Sequence, residues 1–117
     1  MATLALILAG FGGAGLAVIS TIFLRDLKLG MERTSHHLEQ LPQVMGGRYT
    51  GMAALALLAA LYGDMAVIAG LFLVYAFLGF YDAWVYRGAQ RPFMPHLIAG
   101  IAAAVVALLA LSANGAA

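Results

Sequence analysis

The sequence predicts an all-α, polytopic membrane protein: an antiparallel bundle of four transmembrane helices forming one domain over residues 1–117. Three observations predict it. The chain is 64% hydrophobic and 9% charged, whereas a soluble domain is roughly half apolar and a quarter charged. Too few polar residues remain to cover a water-soluble core, so the apolar excess must face lipid, and the mean hydropathy of +0.97 agrees. Apolar stretches of about 20 residues recur along the chain, the length that crosses a hydrocarbon core of ~30 Å at ~1.5 Å per residue. Finally, all 6 Lys and Arg residues fall beside alternate connections.

The first predicted helix covers residues 2–24, which carry no charge. A secretory signal would have a basic start and an apolar run of roughly 7–15 residues, so this segment reads as a retained helix. The second helix covers 45–63, with Arg48 near its start, where a long side chain can snorkel to the interface. The third covers 65–86. Residues 49–81 are broken by a single charge, Asp64, and are too long for one crossing. Gly63-Asp64 suits the turn, since Gly tolerates positive φ and Asp bonds its own backbone. The fourth helix covers 95–112 and follows Pro92 and Pro95, whose missing N–H groups suit a first turn.

Orientation follows from the basic residues. Arg25, Lys28, Arg33 and Arg48 lie around the first connection, Arg87 and Arg91 around the third. That side is expected in the cytoplasm of a cell inner membrane, with both termini periplasmic or extracellular. Segment 25–44 is expected there as an amphipathic stretch, helical from Met31 through Leu38 and Leu41, with Pro42 ending or kinking it. Glu32, His36 and Glu39 would share its polar face, which reads as solvated, and no metal site is expected.

Hydrophobicity does not draw helices together in lipid, whereas small residues allow close packing. Ala5, Ala9, Gly13 and Ala17 repeat every fourth residue on helix one. Helix four offers Ala99, Ala103 and Ala107, and also Gly100 and Ala104; helix three offers Ala66, Gly70, Gly79 and Ala83. Tyr81, Trp84 and Tyr86 gather at one end of helix three, the placement of an interfacial aromatic belt. A ligand-binding role for these three, with Tyr75, is the alternative.

The candidate chemistry lies in three ionisable residues near the same membrane face: Asp82, Arg48 and His96. An ionisable group within a span is costly and therefore a functional candidate. Asp82 would be a base or anchor, His96 a proton shuttle and Arg48 a holder of an anion or carbonyl. The competing reading is that Asp82 pairs with Arg48 or Arg87 and fixes helix docking. Tyr75 and Tyr86 share the Asp82 face by helical spacing. His96 could instead ligate a tetrapyrrole, but nothing else in helix four supports that, and no cofactor is expected.

The chain has no cysteine, which excludes disulfides and thiol chemistry. Its formal net charge of +1 implies no nucleic-acid partner. There is no Gly-rich phosphate loop, no nucleophile elbow and no run of intramembrane charges, so a proton-coupled carrier is not expected.

Gly47-Arg48 entering a small-residue helix, Leu78-Gly79-Phe80-Tyr81-Asp82 late in the third helix, and His96 leading an Ala-rich fourth helix form one pattern. From Gly47 onward the chain resembles a family of small four-helix membrane proteins, domain of unknown function 4267. Segment 25–43 lacks the Phe-Gly-Leu-Pro turn usual there. The resemblance implies a four-helix membrane fold, and Arg48, Asp82 and His96 as a set; it implies no activity.

Three functions stay open. The polar cluster would bind or convert a lipophilic small molecule. Alternatively, the chain would be an accessory subunit of a larger membrane complex, docked through its Gly/Ala faces. A homo-oligomeric channel ranks last, because no helix presents a continuous polar stripe. The lipid bilayer is a partner in every case.

Overall fold

The structure, a computed structural model, describes residues 1–116. Every regular element in these residues is helical: α1 (Ala2–Arg25), α2 (Leu27–Arg33), a single 3₁₀ turn (Leu38–Gln40), α3 (Leu41–Tyr62), α4 (Met65–Gly88) and α5 (Met94–Ala116). Four stretches are long and apolar enough to cross a membrane: Ala2–Arg25, Leu38–Tyr62, Met65–Gly88 and Met94–Gly115. Their large apolar side chains point outward, with Phe11 73% and Leu61 85% exposed. Side chains of that kind are stable only against lipid or another protein, so the chain is a multi-pass membrane protein.

The helices gather into two compact units, one over Met1–Arg48 and one beginning at Tyr49. In the first, α1 carries no buried residue, and Ala5, Ala9, Gly13 and Ala17 are all exposed. Asp26 ends α1: its backbone is extended, and its carboxylate accepts from the Leu29 N–H at 3.1 Å to cap α2. Gly30 is buried beneath the ring of Phe23, which docks α2 against the end of α1.

Segment 25–44 is not one amphipathic helix starting at Met31. Asp26 starts α2 early, and the chain reverses at Ser35, whose φ is 57°. The Ser35 N–H donates to Glu32 O at 3.2 Å and the His36 N–H to Met31 O at 2.9 Å, the double bond pattern of a Schellman motif. Pro42 does not end a helix there. It lies in the first turn of α3, where the missing N–H has no intrahelical partner to lose.

In the second unit, α3 and α4 are separated by Gly63 and Asp64 alone. Gly63 has φ +78°, a conformation that side-chain-bearing residues avoid. The Asp64 carboxylate accepts from the N–H groups of Ala66 and Val67 at 2.8 and 3.0 Å, capping α4. The Tyr75 hydroxyl donates to Met52 O at 2.6 Å and ties α4 to α3.

The tightest packing joins α4 to α5. The buried residues are Ala69, Ala76 and Ala83 on α4, facing Gly100, Ala103, Ala107 and Ala110 on α5. The repeat of sevens on one helix, and of threes and fours on the other, is that of a left-handed pair with a 3.5-residue seam. Ala99 lies outside this seam and is exposed, as are Ala66 and Gly70. Contact is closest at Gly79. A β-carbon there would stand 2.6 Å from Gly100 Cα, so the backbones meet with no room for a side chain.

Candidate functional site

The α4–α5 seam sets the height at which polar residues meet. Three residues beyond Gly79 on α4 comes Asp82; four residues before Gly100 on α5 comes His96. Because the helices run antiparallel, locking Gly79 onto Gly100 brings these two side chains together. His96 Nδ1 lies 3.7 Å from Asp82 Oδ2, with the side chains 28% and 41% exposed respectively. That is ion-pair reach but longer than a hydrogen bond. The gap leaves a carboxylate oxygen and an imidazole nitrogen open to a third polar group.

Tyr86 completes the cluster. It follows Asp82 by one helical turn, and its ring stacks on the His96 ring at 4.7 Å and 13°. The imidazole lies nearly parallel to the Tyr86 ring, with its Nδ1 toward Asp82. Tyr75, on the same face by sequence spacing, spends its hydroxyl proton on Met52 O instead. Tyr81 and Trp84 belong to another row: Phe77, Tyr81 and Trp84 stand 5.7 and 5.9 Å apart along α4. Trp84 is 70% exposed, as a belt residue at the headgroup level is.

Arg48 belongs to the other compact unit. Its Nη2 lies 3.4 Å from His36 Nε2, within the first unit. Thr34 Oγ1 donates to Gly30 O at 2.7 Å, and His36 Nδ1 lies 2.5 Å from the same hydroxyl. Arg48 and His36 thus join the start of α3 to the turn after α2. Among the described residues no three His, Asp or Glu side chains come close enough to hold a metal ion. Glu32, on α2, is separated from His36 by the reversal at Ser35.

Sequence spacing could not reveal the Thr34–His36–Arg48 relay, because it depends on a left-handed serine that no glycine signals. The Tyr86–His96 stack was equally hidden, since it needs the register of two helices. Searches of family models, curated proteins and solved structures find no match to this chain.

Proposed function

We propose that this is a small protein of the cytoplasmic membrane that holds a lipophilic small molecule by its polar end at Asp82, His96 and Tyr86. One observation carries the reading: an unclosed Asp82–His96 gap of 3.7 Å, part-exposed, at the end of a span and held by a helix pair with no slack. An imidazole and a carboxylate held this far apart at the end of a span leave room for a third polar group to bridge them, and that group would make the hydrogen bonds they do not make with each other. In this reading Asp82 accepts a proton or hydrogen bond from the ligand, His96 supplies or removes one, and Tyr86 holds the imidazole in plane. Conversion of the ligand would use the same two groups as base and acid. Arg48 enters as the residue that orders the segment before α3.

The clustering of all 6 basic residues around the α1–α3 and α4–α5 connections supports a cytoplasmic location for the cluster, with both termini outside. Native mass spectrometry of protein extracted gently from its own membrane tests the proposal. A small-molecule mass retained on the 12.2 kDa chain, and lost from a folded, inserted Asp82→Asn variant, is the expected result. Retention of that mass by Asp82→Asn overturns it.

A second reading rests on α1. Its 24 residues include no buried one, yet Ala5, Ala9, Gly13 and Ala17 make a smooth face along it. That supports an accessory subunit whose first helix packs against a larger membrane complex. Larger chains co-extracted in the same spectrum would favour this reading over the first.

A further inference from the structure

The turn between α4 and α5 carries a second feature, independent of the Asp82–His96 reading. α4 ends in a Schellman motif: the Gln90 N–H donates to Arg87 O at 3.1 Å and the Arg91 N–H to Tyr86 O at 2.9 Å, with Gln90 at φ 56°. This closes the backbone on itself and holds Arg87 and Arg91 in one tight turn. The Arg87 guanidinium lies 5.9 Å from the centre of the Phe93 ring, which fixes its direction. Beside it opens a depression of about 480 Å³, lined by Trp84, Val85, Arg87 and Gly88.

Neither arginine has an acidic partner. The only ion-pair contact among the described residues is that of Asp82 with His96. The other acid of this unit, Asp64, caps the opposite end of α4. Within this unit no acid therefore offsets the two charges of the turn, and Arg87 forms part of the wall of an open groove whose other lining includes Trp84 and Val85. A free phosphate would satisfy the charges but would have no use for the exposed Trp84 and Val85. A phospholipid satisfies both: its phosphodiester meets the guanidinium groups, and its glycerol and upper acyl carbons cover the indole.

We propose that the α4–α5 turn is a binding site for a single anionic phospholipid, with Arg87 and Arg91 clamping the phosphate and Trp84 flooring the groove. A lipid such as phosphatidylglycerol is favoured over phosphatidylcholine because no amine of its own cancels the phosphate charge. The preference belongs to this turn and not to the other basic residues, Arg25, Lys28, Arg33 and Arg48.

Trp84 is the only tryptophan in the chain, so its fluorescence reports this groove alone. The full-length protein is reconstituted in equimolar phosphatidylglycerol and phosphatidylcholine vesicles, with one or the other lipid brominated on its acyl chains. Brominated phosphatidylglycerol is expected to quench Trp84 as though enriched about fivefold at the site. Equal quenching by the two lipids overturns the proposal on the wild-type protein, without recourse to any variant. The preference should vanish in Arg87→Gln/Arg91→Gln and persist in Lys28→Gln/Arg33→Gln. An equal fall in both double variants would mean diffuse surface charge and would also overturn it. Excess inorganic phosphate should leave the quenching unchanged; displacement by it would point to a free-anion site instead.

Discussion

Gly79 and Gly100 are where single atoms decide the structure. A β-carbon on Gly79 would lie 2.6 Å from Gly100 Cα and from its amide nitrogen, and 3.0 Å from His96 O. Those neighbours are backbone, which cannot swing aside. Gly79→Ala is therefore expected to push the helices apart and cost about 1–3 kcal/mol of stability in SDS titrations from mixed micelles. Gly70→Ala, on the same helix with nothing within 4 Å of its new methyl group, should be neutral or slightly stabilising. Equal losses from the two would remove the close approach from the account. At this scale Gly79, Ala83, Gly100, Ala103 and Ala107 were legible in the sequence as small packing residues, but the single line that joins them to Ala110 was not. A strict four-residue stripe through Ala99, Ala103 and Ala107 drifts around the helix. The seam actually used alternates threes and fours through Gly100, Ala103, Ala107 and Ala110, because a supercoiled partner follows that line. Asp82 and His96 stood out as costly ionisable residues, whereas the stacking of Tyr86 on His96 depends on that seam and was not readable.

The elements begin and end by local hydrogen bonding, and the readable ends are those with a side-chain cap. Asp64 is one: with its carboxylate bonded to two N–H groups, it starts α4 one residue after a left-handed glycine. Asp64→Ala should cost about 1 kcal/mol in the same titrations, and Asp64→Asn or Asp64→Ser much less, since either can still accept from the first turn. A neutral Asp64→Ala would mean that the turn is held by lipid and neighbouring helices alone. The end that was not readable uses a non-glycine residue in the left-handed region, Ser35. Such positions usually advertise themselves as glycine, so the sequence suggested a continuing helix where the chain in fact reverses. That reversal is why His36 meets Thr34 and Arg48 instead of lining a helix face with Glu32 and Glu39. Pro42 misled for a related reason: a proline can as well open a helix as close one, and only the 3₁₀ turn before it decides which.

For the whole molecule, composition alone was enough to indicate helices in a membrane, because a chain so poor in polar residues has no other stable arrangement. Four crossings with the basic connections on one side would put Asp82, His96 and the Arg87–Arg91 turn at one membrane face. The absence of native cysteine makes this directly testable. Single cysteines at Glu39, Tyr62, Ala89 and Asn114, all exposed positions, are treated with a membrane-impermeant maleimide in intact cells and again after the membrane is opened. The account predicts that Tyr62→Cys and Asn114→Cys label in intact cells, whereas Glu39→Cys and Ala89→Cys label only after disruption. Labelling of Ala89→Cys from outside, or Tyr62→Cys and Ala89→Cys reacting on the same side, would contradict it.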